Sequence, residues 1–440
     1  MRGRGVCVIV AYYAPPAAGV AVNRLVAMVR HLPALGWDPV LVAPSLVHHH
    51  RSTGDEGALA GVTVVRVTNP EPSRLFRRLA GSTAAGESGS GGFEELLPLE
   101  TGAVGSWARR LVREWLYVPD AQALWIPFAA RAAAAAIRGA AGRAAVLFST
   151  SVPYSCHFAA RTAAVDTGVP WVAEYRDPWS VAPPQFGSRS ALRQMIDRRL
   201  DHGVATRADR LVVTSERTRT LFLEAFRELP VVRTAVVRNG FEDPGVPPSA
   251  PPASAGPLRL AYAGSLLDVR WATVFVDALS ELAASEPGAV MLDVHGFREP
   301  WTALAAGRPD GAPWLRIHGM APVEQVGSML QASSALVLLQ PDAVSYVPGK
   351  TYDYLGARRP VLADVPPGSE TALLLGRFGE FHSLSGLDVR GVVGVLEMLL
   401  TRHRMGALAL PSVPEHTVAG LSRRAQVAIL GSVFDEVTGR

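Results

Sequence analysis

The stretch that decides the fold runs Ala335-Leu336-Val337-Leu338-Leu339-Gln340, then Pro341 to Gly349, then Lys350-Thr351-Tyr352-Asp353-Tyr354-Leu355-Gly356-Ala357. An apolar run without polar alternation reads as a parallel strand buried on both faces. A turn-rich loop follows, the residues from Lys350 read as a helix, and Arg359-Pro360-Val361-Leu362-Ala363 begins another strand. In such a β-loop-α-β unit the helix N-terminus points at whatever sits at the strand's carboxyl edge, which is a natural anion site. Lys350 is the one lysine among 43 Lys+Arg residues. In a chain so shifted toward arginine, it marks either a place where a compact ammonium is wanted or a surface lysine left by chance.

Outward from this unit the chain repeats the same alternation. Val6 to Ala11 is a continuous apolar strand, Asn23 to Leu32 has helical spacing, and Pro39 to Ala43 is the next strand. That βαβ unit has a turn-rich loop containing Pro15, Pro16 and Gly19 but lacks the G-x-G-x-x-G of dinucleotide binders. Further strands are read at 62–67, 146–150, 170–175, 210–214 and 234–238, with helices at 129–137, 153–164, 190–208 and 216–227 between them. Residues 81–92 read as a Gly/Ser-rich insertion and 107–116 as an amphipathic basic segment, either an ordinary surface helix or a peripheral membrane contact. Pro244 to Pro252 is too rich in proline for any regular element and reads as a linker. A second β/α series begins at Leu258 to Ala263 and continues through 290–295, 315–318 and the opening unit.

The expected organisation is therefore α/β. An N-terminal Rossmann-like domain spans 1–241, a linker 242–257 and a second Rossmann-like domain 258–420, with a helix at 421–440 returning to the first. The two halves are expected to face each other across a ligand cleft. A chain of 440 residues with 48% hydrophobic and 19% charged content has the composition of a well-buried globular protein. A net charge of +4 without a concentrated basic face argues against nucleic acid as a partner. Cys7 and Cys156 supply neither a disulfide framework nor a metal set, and Cys7 reads as a small core residue. No run approaches the ~20 apolar residues of a membrane span, and the basic-then-apolar start is too short for a signal peptide, so a cytoplasmic protein is expected.

Five short motifs in order then carry a resemblance. They are Tyr13 to Gly19, Glu174-Tyr175-Arg176-Asp177-Pro178-Trp179, Arg238-Asn239-Gly240-Phe241, Ala261 to Leu266, and Val347 to Pro360. Together they resemble retaining glycosyltransferases of the GT-B fold, a large bacterial family (family 4) using nucleotide-sugar donors. The resemblance implies hexosyl transfer from a nucleoside diphosphate sugar to a hydroxyl acceptor, with retention and with no metal or cofactor. Acceptors of similar enzymes are lipid-linked glycans and small natural products.

The residues suit that chemistry. A departing diphosphate needs its charge stabilised by cations and helix N-terminal amides. Lys350 and the amides after Gly349 would supply this, and Arg270 after the Gly264-Ser265 loop would add a bidentate fork, unless it is simply a solvated arginine beside Trp271. Similar enzymes carry an E-x7-E pair, whose positions here are Ser345 and Asp353; Asp353 keeps a carboxylate for ribose hydroxyls and Ser345 does not. By resemblance Gly19, Gly264, Ser265, Ser345, Gly349, Thr351 and Asp353 fall on the donor, and Asn23, Arg24 and Arg176 on the acceptor side. His157, near a helix start, is either a neutral hydrogen-bonding group, its pKa depressed by that helix N-terminus, or a packed core histidine. Arg176 and Asp177 form an internal ion pair, or Asp177 orients the acceptor hydroxyl. Ser345 also motivates a second reading, a non-catalytic nucleotide-sugar-binding GT-B scaffold. A sugar-nucleotide epimerase is disfavoured by the Pro-Gly-Lys and Arg-Asp-Pro-Trp motifs.

Overall fold

Strands that are apolar at every position have two faces to bury, and each half of the chain buries them inside one wholly parallel sheet. In the computed structural model the described residues are 5–17, 19–45, 56–70, 118–182, 190–242, 256–308, 311–319, 323–408 and 410–440. The expected insertion at 81–92, the basic segment at 107–116 and the Pro-rich run 244–252 lie outside them. The chain forms two compact units, one comprising residues up to Val237 together with Val427–Arg440, the other Arg238–Gln426.

The first unit's strands are β1 (Gly5–Val10), β2 (Trp37–Pro44), β3 (Thr63–Val67), β4 (Ala145–Ser151), β5 (Trp171–Tyr175), β6 (Arg210–Val213) and β7 (Thr234–Val236). They lie in the order β3-β2-β1-β4-β5-β6-β7. Alternate residues of β1 serve opposite faces: Val6, Val8 and Val10 pack with Trp125 and the alanine-rich helix Ile126–Gly139. Cys7 and Ile9 pack with Met28, Trp37 and Phe148, and Val427, Leu430, Val433 and Phe434 of the last helix close that face. Trp37 Nε1 donates to Asp435 at 3.1 Å.

The second unit's strands are β8 (Leu258–Ala263), β9 (Val290–His295), β10 (Leu315–Ile317), β11 (Ala335–Leu339), β12 (Val361–Asp364) and β13 (Phe381–Ser383). Their order is β10-β9-β8-β11-β12-β13. Counted from β8 this is 3-2-1-4-5-6, the doubly wound nucleotide-binding order, and it reverses between β8 and β11. The opening run divides as its lack of alternation requires: Ala335, Val337 and Leu339 on one face, Leu336 and Leu338 on the other. The helix Glu370–Phe378, capped by Ser369, and the short β13 were not foreseen. Among the described residues no helix is long and apolar enough to cross a membrane.

Candidate active site

Where the strand order reverses, the loops leaving two neighbouring strands run apart and open a crevice at their carboxyl ends. In the second unit those loops follow β8 and β11. The β8 loop begins at Gly264, whose φ of +94° is one that L side chains rarely adopt. Its amide donates to the His295 carbonyl at 2.8 Å. A Cβ at Gly296 would lie 2.0 Å from the Gly264 carbonyl oxygen, so Gly296 is held to glycine by close backbone approach and Gly264 by its backbone conformation.

The loop after β11 is braced internally, with the Gln340 amide donating to the Tyr346 hydroxyl at 2.9 Å and that hydroxyl donating to Asp342 at 3.0 Å. Ser345 is half-buried within it. The helix Gly349–Ala357 then starts behind Pro348 without a side-chain cap, leaving orphan amides at its N-terminus. From its first turn Lys350 Nζ donates to the Tyr262 hydroxyl at 2.7 Å and to the Ser265 carbonyl at 3.4 Å. Nζ also lies 4.1 Å from the Tyr262 ring centroid. No carboxylate among the described residues pairs with it, and burial lowers its pKa to about 7. Tyr354 locks the same helix to both strands, its hydroxyl accepting from Ala263 N at 2.9 Å and donating to Val337 O at 3.0 Å.

The structure thus brings Lys350, Gly349, Gly264 and Ser265 together and treats the remaining residues expected on the donor side differently. Thr351 is fully buried, and its hydroxyl has no partner among the described residues. Asp353 sits 3.7 Å from the Arg423 guanidinium, which also pairs with Glu242 at 3.1 Å. Burial raises Asp353 to about 6, with Arg423 pulling it down and Glu242 pushing it up. Arg270, 85% exposed, does not reach out as an open fork. Its guanidinium folds onto Asp268, the neighbouring carboxylate that caps its own turn, with Nε 2.9 Å from either oxygen.

In the first unit the sheet reverses between β1 and β4. Gly19 heads the helix Val20–His31, and Asn23 is half-buried one turn on. Arg24 is not an open acceptor-side cation. It is buried and donates to Glu174 through Nε at 3.0 Å and to the Val237 carbonyl at 2.8 Å. Glu174 also accepts from Thr150 at 2.7 Å, so a buried charge meets its counter-charge and further partners. His157 is fully buried, with Nδ1 2.9 Å from the Ser149 hydroxyl and its ring against Tyr175. Its pKa falls to about 3 by burial, which corrects the expected cause, the helix N-terminus. Arg176 turns back to donate to the Ser151 carbonyl at 2.6 Å, and no ion pair joins it to Asp177 among the described residues. Asp177 is half-buried, and burial raises its pKa against the opposing charge of Arg176.

A half-buried helix start without a side-chain cap, an ammonium with no counter-ion among the described residues and the turn at Gly264 together suit an anionic group. Residues 19–240, half of the chain, match the glycosyl transferase 4-like domain family. The chain belongs to that family. It is a glycosyltransferase whose two parallel-sheet Rossmann-like domains are those of the GT-B class. Solved structures similar to this glycosyltransferase include one from Rickettsia africae ESF-5, a glycosyltransferase, at 10% identity, covering 99% of each chain, with a TM-score of 0.58. The sucrose-phosphate synthase of Thermosynechococcus elongatus is 14% identical over 99% of this chain and 100% of its own, with a TM-score of 0.60. The S. aureus MnaA–UDP co-structure is 10% identical over 94% of both chains, with a TM-score of 0.50. No curated protein matches the sequence.

Tyr262, Gly296 and Glu174 are not among the site residues expected from the sequence. Glu174 and Tyr262 stand out in the sequence only as members of the motifs 174–179 and 261–266. For Gly296 a signal was present, since the neighbouring strands end alike in Val294-His295-Gly296 and Ile317-His318-Gly319. The two histidine rings stack at 4.6 Å.

Proposed function

We propose that this glycosyltransferase moves a hexosyl group from a nucleoside diphosphate sugar to a hydroxyl acceptor with retention of configuration. The observation that carries the reading is the convergence of Lys350 Nζ on the Gly264–Ser265 loop at the strand-order reversal. There the ammonium and the helix-start amides take up the negative charge that grows on the diphosphate as the bond from the anomeric carbon to phosphate oxygen breaks. The acceptor oxygen bonds that carbon on the same face, and its proton passes to the departing phosphate oxygen. No protein base is needed, and in this reading the charge is met by Lys350 and amides without a resident metal.

Asp353 accepts from the ribose hydroxyls, and Asp177 orients the acceptor hydroxyl, supplied by a lipid-linked glycan or a small natural product. A donor of the uridine type is the first to try, because the MnaA neighbour was solved with UDP. The test is transfer and donor hydrolysis over a panel of UDP-, GDP- and dTDP-sugars, with the anomeric configuration of the product read by NMR. An inverted product overturns the retaining course. Absence of nucleoside diphosphate binding overturns the donor site.

A further inference from the structure

We propose that Tyr262 is a positioning residue for Lys350, its single hydroxyl aiming the ammonium and fixing the β8 loop against the start of the Gly349–Ala357 helix. The inference rests on the reading of that cradle as the donor diphosphate site. Tyr262 is fully buried, and its ring is packed against Trp301 at 4.9 Å between centroids, so the hydroxyl has little freedom to move. Its oxygen accepts from Lys350 Nζ at 2.7 Å, and its proton goes to the Ser265 carbonyl at 2.8 Å. With one donor and one acceptor used, the hydroxyl is a relay between a side chain of the helix start and a carbonyl of the β8 loop. The ring itself lies under the ammonium, which holds Nζ from a second direction. A long, flexible lysine would otherwise sample many rotamers, and the ordering it needs before meeting a phosphate is already supplied here.

The neighbourhood keeps this pair electrostatically simple. The Tyr354 hydroxyl is neutral and occupied by Ala263 and Val337. Asp268 is taken up by Arg270, and Asp353 faces Arg423 and Glu242. Tyr262 also titrates far above neutrality, pushed up by burial. It is therefore a neutral acceptor for the charged form of Lys350, and its removal disfavours that form.

Tyr262→Phe deletes the oxygen and keeps the ring, and UDP, GDP and dTDP serve as probes in calorimetric titrations between pH 5.5 and 8.5. For the nucleotide the wild-type protein binds most tightly, the variant is expected to bind about ten- to a hundredfold more weakly at pH 7, the scale of a lost hydrogen bond to a charged group. The loss of affinity on raising the pH should also begin at lower pH than in the wild type, since the ligand's own ionisation is common to both. Combined with Lys350→Ala, Tyr262→Phe should add almost nothing, because the residue acts through the lysine. Three results overturn the proposal while leaving the diphosphate reading intact: wild-type affinity and pH dependence in Tyr262→Phe, a loss uniform across pH, or additive losses in the double variant. If Lys350→Ala binds as the wild type does, or no nucleotide binds at all, the diphosphate reading falls and the proposal with it.

Discussion

The Asp353 carboxylate and the Arg423 guanidinium stand 3.7 Å apart, and the same guanidinium pairs with Glu242 at 3.1 Å. Arg423 thus divides its charge between two carboxylates, and Asp353 remains poorly compensated. A carboxyl whose pKa is raised from 3.8 to about 6 opposes folding as it ionises. That cost is absent below pH 4, grows as the pH rises from about 4 to 6, and is constant above. Asp353→Asn is accordingly expected to stabilise the protein by about 1–3 kcal/mol at pH 8 and to change little at pH 4, while weakening nucleotide binding. Urea denaturation at the two pH values checks the first part. Equal effects at both would show that the carboxylate is not strained.

Lys350 gives the opposite sign for ligand binding. With its pKa lowered to about 7, the free protein loses the ammonium as the pH passes through neutrality, so nucleoside diphosphate affinity should decline between pH 6.5 and 8. Lys350→Ala should abolish transfer and cost about 1.5–3 kcal/mol of binding, as expected for a charge-assisted hydrogen bond. Kinetics near those of the wild type in this variant would remove the lysine from the mechanism.

The Arg24–Glu174 pair is a structural element of the first unit. Taking away one partner leaves the other charge buried and uncompensated, at a cost of about 3–5 kcal/mol. Arg24→Met should therefore lower the denaturation midpoint sharply, and adding Glu174→Leu should restore part of it. A double variant less stable than the single would contradict this account.

His157, lowered from 6.5 to about 3, is neutral in the folded protein throughout the physiological range. The unfolded chain binds the extra proton between those values, so stability is full above pH 6.5 and falls as the medium is acidified. At pH 5 the loss from this residue alone is about 2 kcal/mol. His157→Asn should flatten the slope of stability against pH between 6.5 and 4.5. The activity profile of the wild type should carry no limb from this residue.

Gly296 is the least tolerant point near the cradle. An alanine Cβ would sit 2.0 Å from the Gly264 carbonyl oxygen, and the obstacle is backbone that cannot swing aside. Gly296→Ala is expected to weaken nucleotide binding at least tenfold with a smaller change in thermal midpoint, as read by calorimetry and by thermal denaturation.

The parallel sheets were legible in the sequence because a strand buried on both faces must be apolar at every position, as 335–339 and 6–10 are. The lone lysine at a helix start was legible too, since helix N-termini attract anions whatever the rest of the fold does. Short elements such as β13 and the Glu370–Phe378 helix were not, because three to nine residues carry too little periodicity to stand out from their surroundings. The sequence could not show which charges would be spent internally. Arg24 read as an acceptor-side cation and Arg176 as that or a partner of Asp177, and tertiary packing brings Glu174 and the Ser151 carbonyl to their guanidinium groups, whereas Arg270 is taken up locally by Asp268 two residues away in its own turn. The same packing leaves Lys350 with a neutral tyrosine and a carbonyl in place of a carboxylate, and its charge is thereby kept for a ligand. Composition and order determined the two nucleotide-binding folds; burial and partner choice, which depend on residues far apart in the chain, decided which ionisable groups remain free to act.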